Sequence, residues 1–153
     1  MCWSVLDKLL EIARTYLATP HINGGMVKGA GVDCCTLPVL IYRELDVVDI
    51  PVKTDYSCDW FCAKDCKEIM LPYLEKYFDP VENLEPADLV SFRWGRSSFA
   101  HIAMYLGRGK FIHAHAENGV EIVTEDCPYF FDRQGRSRAT GYWRVKNEFI
   151  KGA

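Results

Sequence analysis

The chain has 153 residues and a net charge of −3, with 49% apolar and 25% charged residues. That length can bury a core as one domain spanning residues 1–153, and the composition is ordinary for a globular protein. The weak negative charge gives no reason to expect nucleic acid or a membrane surface as a partner, and no window approaches the roughly 20 apolar residues of a membrane-spanning helix. Residues 1–8 lack a basic region ahead of their apolar residues, and Asp7 interrupts them, so they do not read as a secretory signal. Cys2 has no apolar segment before it and is not read as a lipid anchor. Seven cysteines is an odd and a high number. Without a secretory signal they read as reduced thiols of a protein made in the cytoplasm, not as a disulfide framework.

Residues 4–18 predict an amphipathic helix capped by Ser4, with Asp7 three residues on and an apolar stripe from Val5 through Leu9, Leu10 and Ala13 to Leu17. Residues 19–32 form a loop in which Gly24, Gly25, Gly29 and Gly31 imply positive φ or a close backbone approach. Such a loop suits a substrate groove or a long turn. It runs into Asp33-Cys34-Cys35-Thr36-Leu37-Pro38 and a second predicted helix, 34–45. Asp33 is suited to cap that helix, which sets Cys34 in its first turn, where the dipole and free N–H groups favour a thiolate. Pro38 is tolerated within that first turn. Most cysteines are small buried hydrophobes, and on this stretch alone Cys34 reads as one.

A third helix is expected over 59–77, broken or kinked at Pro72. Cys58, Cys62 and Cys66 recur every fourth residue across its start, which would set them on one face. Three thiols on one straight helix converge poorly on a tetrahedral ion, so a face of small residues is the better reading. After a turn at 83–88 the period becomes that of strands: 89–92, 101–106, 110–115, 120–123 and 141–146, with a hairpin loop at 107–109 and a turn at Glu117-Asn118-Gly119. Helices first and an antiparallel meander after them make an α+β pattern.

His101 opens one strand and His113 lies in the next. A three-residue loop at 107–109 pairs Leu106 with Lys110 and Ala103 with His113, so that His101, His113 and His115 share one face. A two-residue loop would instead separate His101 from His113. A cysteine at a helix start packed against such a sheet has a known chemical use. One imidazole takes the thiol proton and a second polar group orients the first. A free thiol, with a pKa of about 8.5, ionises only slightly near neutrality, and an imidazole partner raises that fraction.

These residues, in this order, resemble the NlpC-type cell-wall peptidases, a papain-like cysteine peptidase family of bacteria and their phages. The matching blocks are Pro20-His21-Ile22-Asn23-Gly24-Gly25, Asp33-Cys34-Cys35-Thr36-Leu37, Ala87-Asp88-Leu89-Val90-Ser91-Phe92, and His101 through Ala114 with its Tyr105-Leu106-Gly107-Arg108-Gly109-Lys110-Phe111-Ile112-His113 core. The stretch Val27–Cys34 and Tyr42-Arg43-Glu44-Leu45 look most like the phage-encoded branch. The resemblance implies a papain-like fold with N-terminal helices on a central antiparallel sheet, and cleavage of peptidoglycan stem peptides, commonly between D-γ-glutamate and a diamino acid. It implies Cys34 as nucleophile, His101 as general base and then acid, His113 as the group that orients His101, and no metal or cofactor. His21 stands where the family has a tyrosine, and with Asp33 it is the candidate for oxyanion or substrate contact. Cys35-Thr36 replaces the family's Ser-Gly, and Pro38 replaces a usual apolar residue.

Three other readings compete. A thiol acyltransferase or amidase could use the same fold on another acyl substrate. A phage structural protein could retain the fold without catalysis. A zinc site from His101, His113 and His115 would leave the Asp33-Cys34 helix start unexplained. For the peptidase, the expected partners are peptidoglycan peptides and phage tail proteins. A phage tail or host lysis would carry it from the cytoplasm to the wall, or it would act on recycled wall fragments inside the cell.

Overall fold

The computed structural model describes residues 4–152, so Cys2 and the start of the N-terminal stretch lie outside it. Its centre is a six-stranded sheet built from β3 (Phe78–Val81), β4 (Leu89–Trp94), β5 (Ser97–Gly107), β6 (Lys110–His115), β7 (Gly119–Thr124) and β8 (Ala139–Val145). The strands lie in the order β3-β8-β4-β5-β6-β7, and every neighbouring pair is antiparallel. A two-stranded ribbon, β1 (Met26–Val27) with β2 (Gly31–Val32), folds the glycine loop back on itself. Three helices precede or flank the sheet: α1 (Val5–Thr15), α2 (Thr36–Glu44) and α3 (Leu71–Tyr77). None is long and apolar enough to cross a membrane.

The central strands β4, β5 and β6 are buried on both faces, which is why they read as nearly continuous apolar runs. Leu9 and Ala13 of α1, Ile41 and Tyr42 of α2, and Leu74 of α3 share a core with Ile102, Met104, Leu106 and Ile112. Alternate residues pack in a smaller cluster, Val90, Phe92, Ala103, Phe111 and Phe130. Phe130 comes from the connection between β7 and β8, which covers that second face.

The Ser4 cap forms as expected, with Asp7 N–H donating to Ser4 Oγ at 3.1 Å and Ser4 N–H to Asp7 Oδ2 at 3.3 Å. The helix is shorter than the 4–18 of the sequence reading. Beyond Thr15 the backbone turns away, Ala18 adopts φ 65°, and its N–H bonds to Val120 O at 3.1 Å. The expected stripe was also too wide, since Val5 and Leu17 are exposed.

The helix expected over 59–77 does not form. Trp60–Cys62 makes one short 3-10 turn, and regular helix returns only at Leu71, with Pro72 inside the first turn. Residues 63–65 and 67 are exposed polar or small residues with no apolar stripe to bury, and short helices depend on such burial. Cys58, Cys62 and Cys66 therefore share no helical face. The segment is held to the β4–β5 hairpin by Arg96 N–H to Phe61 O at 2.7 Å and Ser97 Oγ to Glu68 at 2.7 Å. β3, which follows α3, has no counterpart in the sequence reading. It is an edge strand with Pro80, the position where a missing N–H costs no ladder bond.

The β5–β6 hairpin reaches the expected register by another route. The turn has two residues, Arg108 (φ 52°) and Gly109 (φ 73°), and Gly107 pairs with Lys110. That alone would reverse the faces. A bulge between Tyr105 and Gly107 adds one residue and restores the offset, so Tyr105 pairs with Phe111 and Met104 with Ile112. The histidines stay on a common face.

Candidate active site

The start of α2 is built by Asp33. The regular helix spans Thr36–Glu44, but its first α-type bond runs from Leu37 N–H to Asp33 O at 3.1 Å. Asp33 is buried, and its Oδ1 accepts from Cys35 N–H and Thr36 N–H, both at 2.9 Å. Thr36 reciprocates, its Oγ1 accepting from Asp33 N–H at 2.9 Å and donating to Gly25 O at 2.6 Å. This is a capping box with threonine in the return position. Thr36, a departure from the family motif, thus ties the glycine loop to the helix start. Asp33 Oδ2 takes Gly24 N–H at 2.7 Å and the Tyr56 hydroxyl. Its carboxylate is occupied by the fold.

Cys34 lies in the turn Asp33 organises, and its Sγ sits 3.9 Å from Ala100 O, directly before His101. Asp33 binds the N–H groups of Cys35 and Thr36 and not that of Cys34. The neighbouring Cys35 thiol is pushed well above its ordinary pKa by its contact with the Cys34 thiol and by burial, with Asp33 adding to it. The described cysteines Cys34, Cys35, Cys58, Cys62, Cys66 and Cys127 are all free thiols.

His101 and His113 are both buried, and His101 Nε2 lies 2.9 Å from His113 Nδ1. Burial, then the nearby imidazoles of His113, His115 and His21, hold His101 well below its ordinary pKa. It is uncharged at neutral pH, as a base must be. Burial also lowers His113, against the opposing pull of Glu121, whose Oε1 lies 2.9 Å from His113 Nε2. His115, on the same face of β6, lies 6.0 Å from the His113 ring and 4.6 Å from Tyr129, its Nδ1 accepting from Glu117 and Asn118 N–H at 3.1 Å.

Cys34 and His101 open onto one cleft of about 570 Å³, with His21, Tyr56 and Tyr129 among its walls. His21 reaches it from the strand-like segment that bridges to Val32. Tyr129 packs edge-on against His101 at 5.0 Å and stacks on Trp94 at 4.4 Å, while Arg138 covers Trp94 at 3.7 Å. A separate apolar hollow of about 510 Å³ lies behind Cys35 and Tyr56, lined by Pro38, Val39 and Ile102. The structure therefore brings Cys34, His101, His113 and His21 together and buries Asp33 beneath them. Tyr56, Tyr129 and Glu121 are additions that no motif signalled.

Among the described residues, the group with ligand atoms close enough for a metal is His113, Glu121 and Cys127, all within 4.8 Å of one another. The zinc alternative of the sequence reading, His101 with His113 and His115, is a different set. His113 Nε2 and Glu121 are already hydrogen-bonded to each other, and a metal would have to break that bond.

The model of the NlpC/P60 family matches residues 18–139. The chain is 39% identical over 134 residues to murein DD-endopeptidase MepS/murein LD-carboxypeptidase of Escherichia coli, covering 88% of this chain and 62% of that one. It is 28% identical over 135 residues to the gamma-D-glutamyl-L-lysine dipeptidyl-peptidase of Bacillus cereus, covering 86% of this chain and 35% of that one. The chain thus spans about a third to three-fifths of the length of these relatives. Among solved structures, an NlpC/P60 family protein from Bacillus cereus superposes with a TM-score of 0.64 at 25% identity, covering 91% of this chain and 39% of that one. The NlpC/p60 domain of the peptidoglycan hydrolase SagA superposes at 0.60 and 18% identity, covering 91% and 97%, and shares the fold.

Proposed function

The chain belongs to the NlpC/P60 family, and on that premise we propose that it is a cysteine peptidase acting on peptidoglycan stem peptides. The proposed scissile bond joins D-γ-glutamate to the diamino acid after it, and residues 1–153 would act as one peptidase domain. The observation that carries this reading is a single cleft onto which both the Cys34 helix start and His101 open, with buried His113 hydrogen-bonded to His101 behind it. The Bacillus cereus relative, named for a gamma-D-glutamyl-L-lysine substrate, supports the choice of bond.

In this mechanism His101 Nδ1 takes the proton of Cys34 Sγ. The thiolate attacks the scissile carbonyl carbon, a C–S bond forms, and the carbonyl π electrons move onto oxygen. The Cys34 N–H, which Asp33 does not take, and His21 from the facing wall donate to that oxyanion. One such donor is worth about 2.7–4 kcal/mol in the transition state. His101 then passes its proton to the amine nitrogen as the C–N bond breaks, leaving a thioester. Water, deprotonated by His101, attacks the thioester and restores the free thiol. His113 keeps the His101 ring in plane for both transfers, and Tyr129 and Trp94 screen the pair from bulk water.

The test is incubation of the reduced protein with stem peptides containing D-γ-glutamyl–diaminopimelate or D-γ-glutamyl–lysine bonds, with products read by mass spectrometry. The expected result is cleavage at that bond, lost in Cys34→Ala. Failure to cleave either peptide, with Cys34 no more reactive to an alkylating agent than free cysteine, overturns the proposal.

A further inference from the structure

Both ring nitrogens of His113 are engaged: Nδ1 with His101 Nε2 at 2.9 Å, and Nε2 with Glu121 Oε1 at 2.9 Å. An ionised carboxylate only accepts, so the proton on that side belongs to His113 Nε2. A neutral imidazole has one N–H, which makes His113 Nδ1 a bare acceptor. His101 Nε2 must then carry the proton between the rings. A neutral His101 is left with Nδ1 bare, and Nδ1 is the atom that has to accept the thiol proton of Cys34. Run the other way, with the proton on His101 Nδ1, the same two rings would still hydrogen-bond and the base would be lost. Nothing in the histidine pair itself chooses between the two directions.

We propose that Glu121 makes the choice: it is a positioning residue that acts through His113 to hold His101 in the tautomer with a bare Nδ1, and its charge steadies the imidazolium formed when Cys34 ionises. The assignment rests on Cys34 as the nucleophile and His101 as its base. Three further observations support it. Glu121 is placed by the sheet, directly opposite His113 in the β6–β7 ladder. Its second oxygen accepts from Asn118 Nδ2 at 3.4 Å, which fixes the carboxylate plane. Among the described residues it is the one carboxylate hydrogen-bonded to the pair. The other groups facing the pair do not supply this charge. His21 and His115 oppose an imidazolium, and the thiol of Cys127, within 4.8 Å of His113 Nε2 and Glu121, is pushed up by burial and stays neutral. Asp126 acts on Cys127 and Glu117 on Tyr129, each beyond the rings. Burial and like charge thus work against the ion pair that catalysis needs, and Glu121 answers them from two rings away.

The test uses Glu121→Gln, which keeps the shape, removes the charge and can present either an oxygen or an amide N–H to His113. The rate of Cys34 alkylation by iodoacetamide is measured against pH, with the Cys34 peptide quantified by mass spectrometry. In the parent protein Cys34 should react well below the pH at which a free thiol ionises. In Glu121→Gln the acid limb should move upward and the rate at pH 6.5 fall by about tenfold to a hundredfold, the scale seen when the outer partner of a metal-ligating histidine is removed. At pH 9.5, where a thiol ionises unaided, the two should agree, which separates positioning from misfolding. Nitrogen-15 spectra of the histidines supply a second readout: Nδ1 of His101 unprotonated in the parent, and a mixture of tautomers in Glu121→Gln. Superimposable alkylation profiles, or a proton on His101 Nδ1 in the parent, overturn the assignment. A parent Cys34 that titrates as an ordinary thiol refutes instead the reading of Cys34 as an activated nucleophile.

Discussion

Replacing Asp33 by alanine should cost the fold more than any substitution at the presumed reacting atoms. Asp33 is 3% exposed, and its carboxylate takes Gly24 N–H at 2.7 Å, Cys35 N–H and Thr36 N–H at 2.9 Å, and the Tyr56 hydroxyl. Loss of the cap alone is worth about 0.5–2 kcal/mol. Gly24 N–H and Tyr56 O–H each lose a charged acceptor, at about 1–3 kcal/mol for every group left unsatisfied. The variant no longer bears the cost of burying the carboxylate, which offsets part of this. The expected net loss is about 3–4 kcal/mol, within the sum of those contributions. Urea unfolding followed by tryptophan fluorescence should show the midpoint falling by roughly 1.5–2 M, for a slope near 2 kcal/mol/M. Asp33→Asn sharpens the test. Its carbonyl oxygen can still cap Cys35 and Thr36, but its amide must face the Gly24 N–H, donor against donor, so it should lose about half as much. If both variants lose under about 0.5 kcal/mol, a value ordinary for surface changes, the helix start is not held by this carboxylate.

Thr36→Val preserves shape and deletes the hydroxyl that sits between Asp33 N–H and Gly25 O. It should cost about 1–3 kcal/mol for the buried group left unpaired, and equal urea midpoints would refute the capping box. A further prediction concerns pH. His101 and His113 are both held below their ordinary pKa, chiefly by burial, so below about pH 6.5 the unfolded chain binds protons that the folded chain does not. Their contribution to stability is whole above that pH and declines as pH falls toward the folded values. The melting temperature should therefore drop between pH 7.5 and 5, with a shallower slope in His101→Gln. A slope unchanged by that substitution would show that His101 does not titrate on unfolding.

The elements legible in the sequence were those whose pattern is set locally. Ser4 and Asp7 announce the first helix because a capping box needs only residues three apart. The strands from Leu89 onward announce themselves by runs of apolar and β-branched residues. The third helix failed because its apolar residues, Trp60, Phe61, Ile69 and Met70, fall at the two ends of a polar middle. Without a buried stripe, propensity alone does not hold such a segment. The hairpin carrying the histidines reached the expected register through two departures that cancel: a loop one residue shorter, and a bulge one residue longer. The common face of His101 and His113 therefore depends on the bulge as much as on the turn.

That Cys34, His101 and His113 would lie together was legible because each is tied to a helix start or to strand parity. Tyr56 and Glu121 were not legible, and for different reasons. Tyr56 lies in an irregular stretch with no period, and it reaches Asp33 across 23 residues of sequence. Glu121 lies in a strand that was recognised, but its partner depends on where the preceding turn closes. A turn centred on Glu117-Asn118-Gly119 would set His113 opposite Val123. The chain turns one residue earlier, pairing His115 with Gly119 and so His113 with Glu121. Gly119 is drawn into the strand by a contact distant in sequence. The chain leaving α1 runs alongside it, Val120 N–H bonds to Thr19 O at 2.9 Å, and a Cβ on residue 119 would come within 2.5 Å of that same oxygen. Gly119 thus answers two demands, a left-handed φ of 72° where the chain turns and the close approach of Thr19. The proton direction in the histidine pair therefore traces back to the packing of the N-terminal segment against β7. A bulky residue at 119 should disturb Cys34 reactivity without touching any group in the cleft.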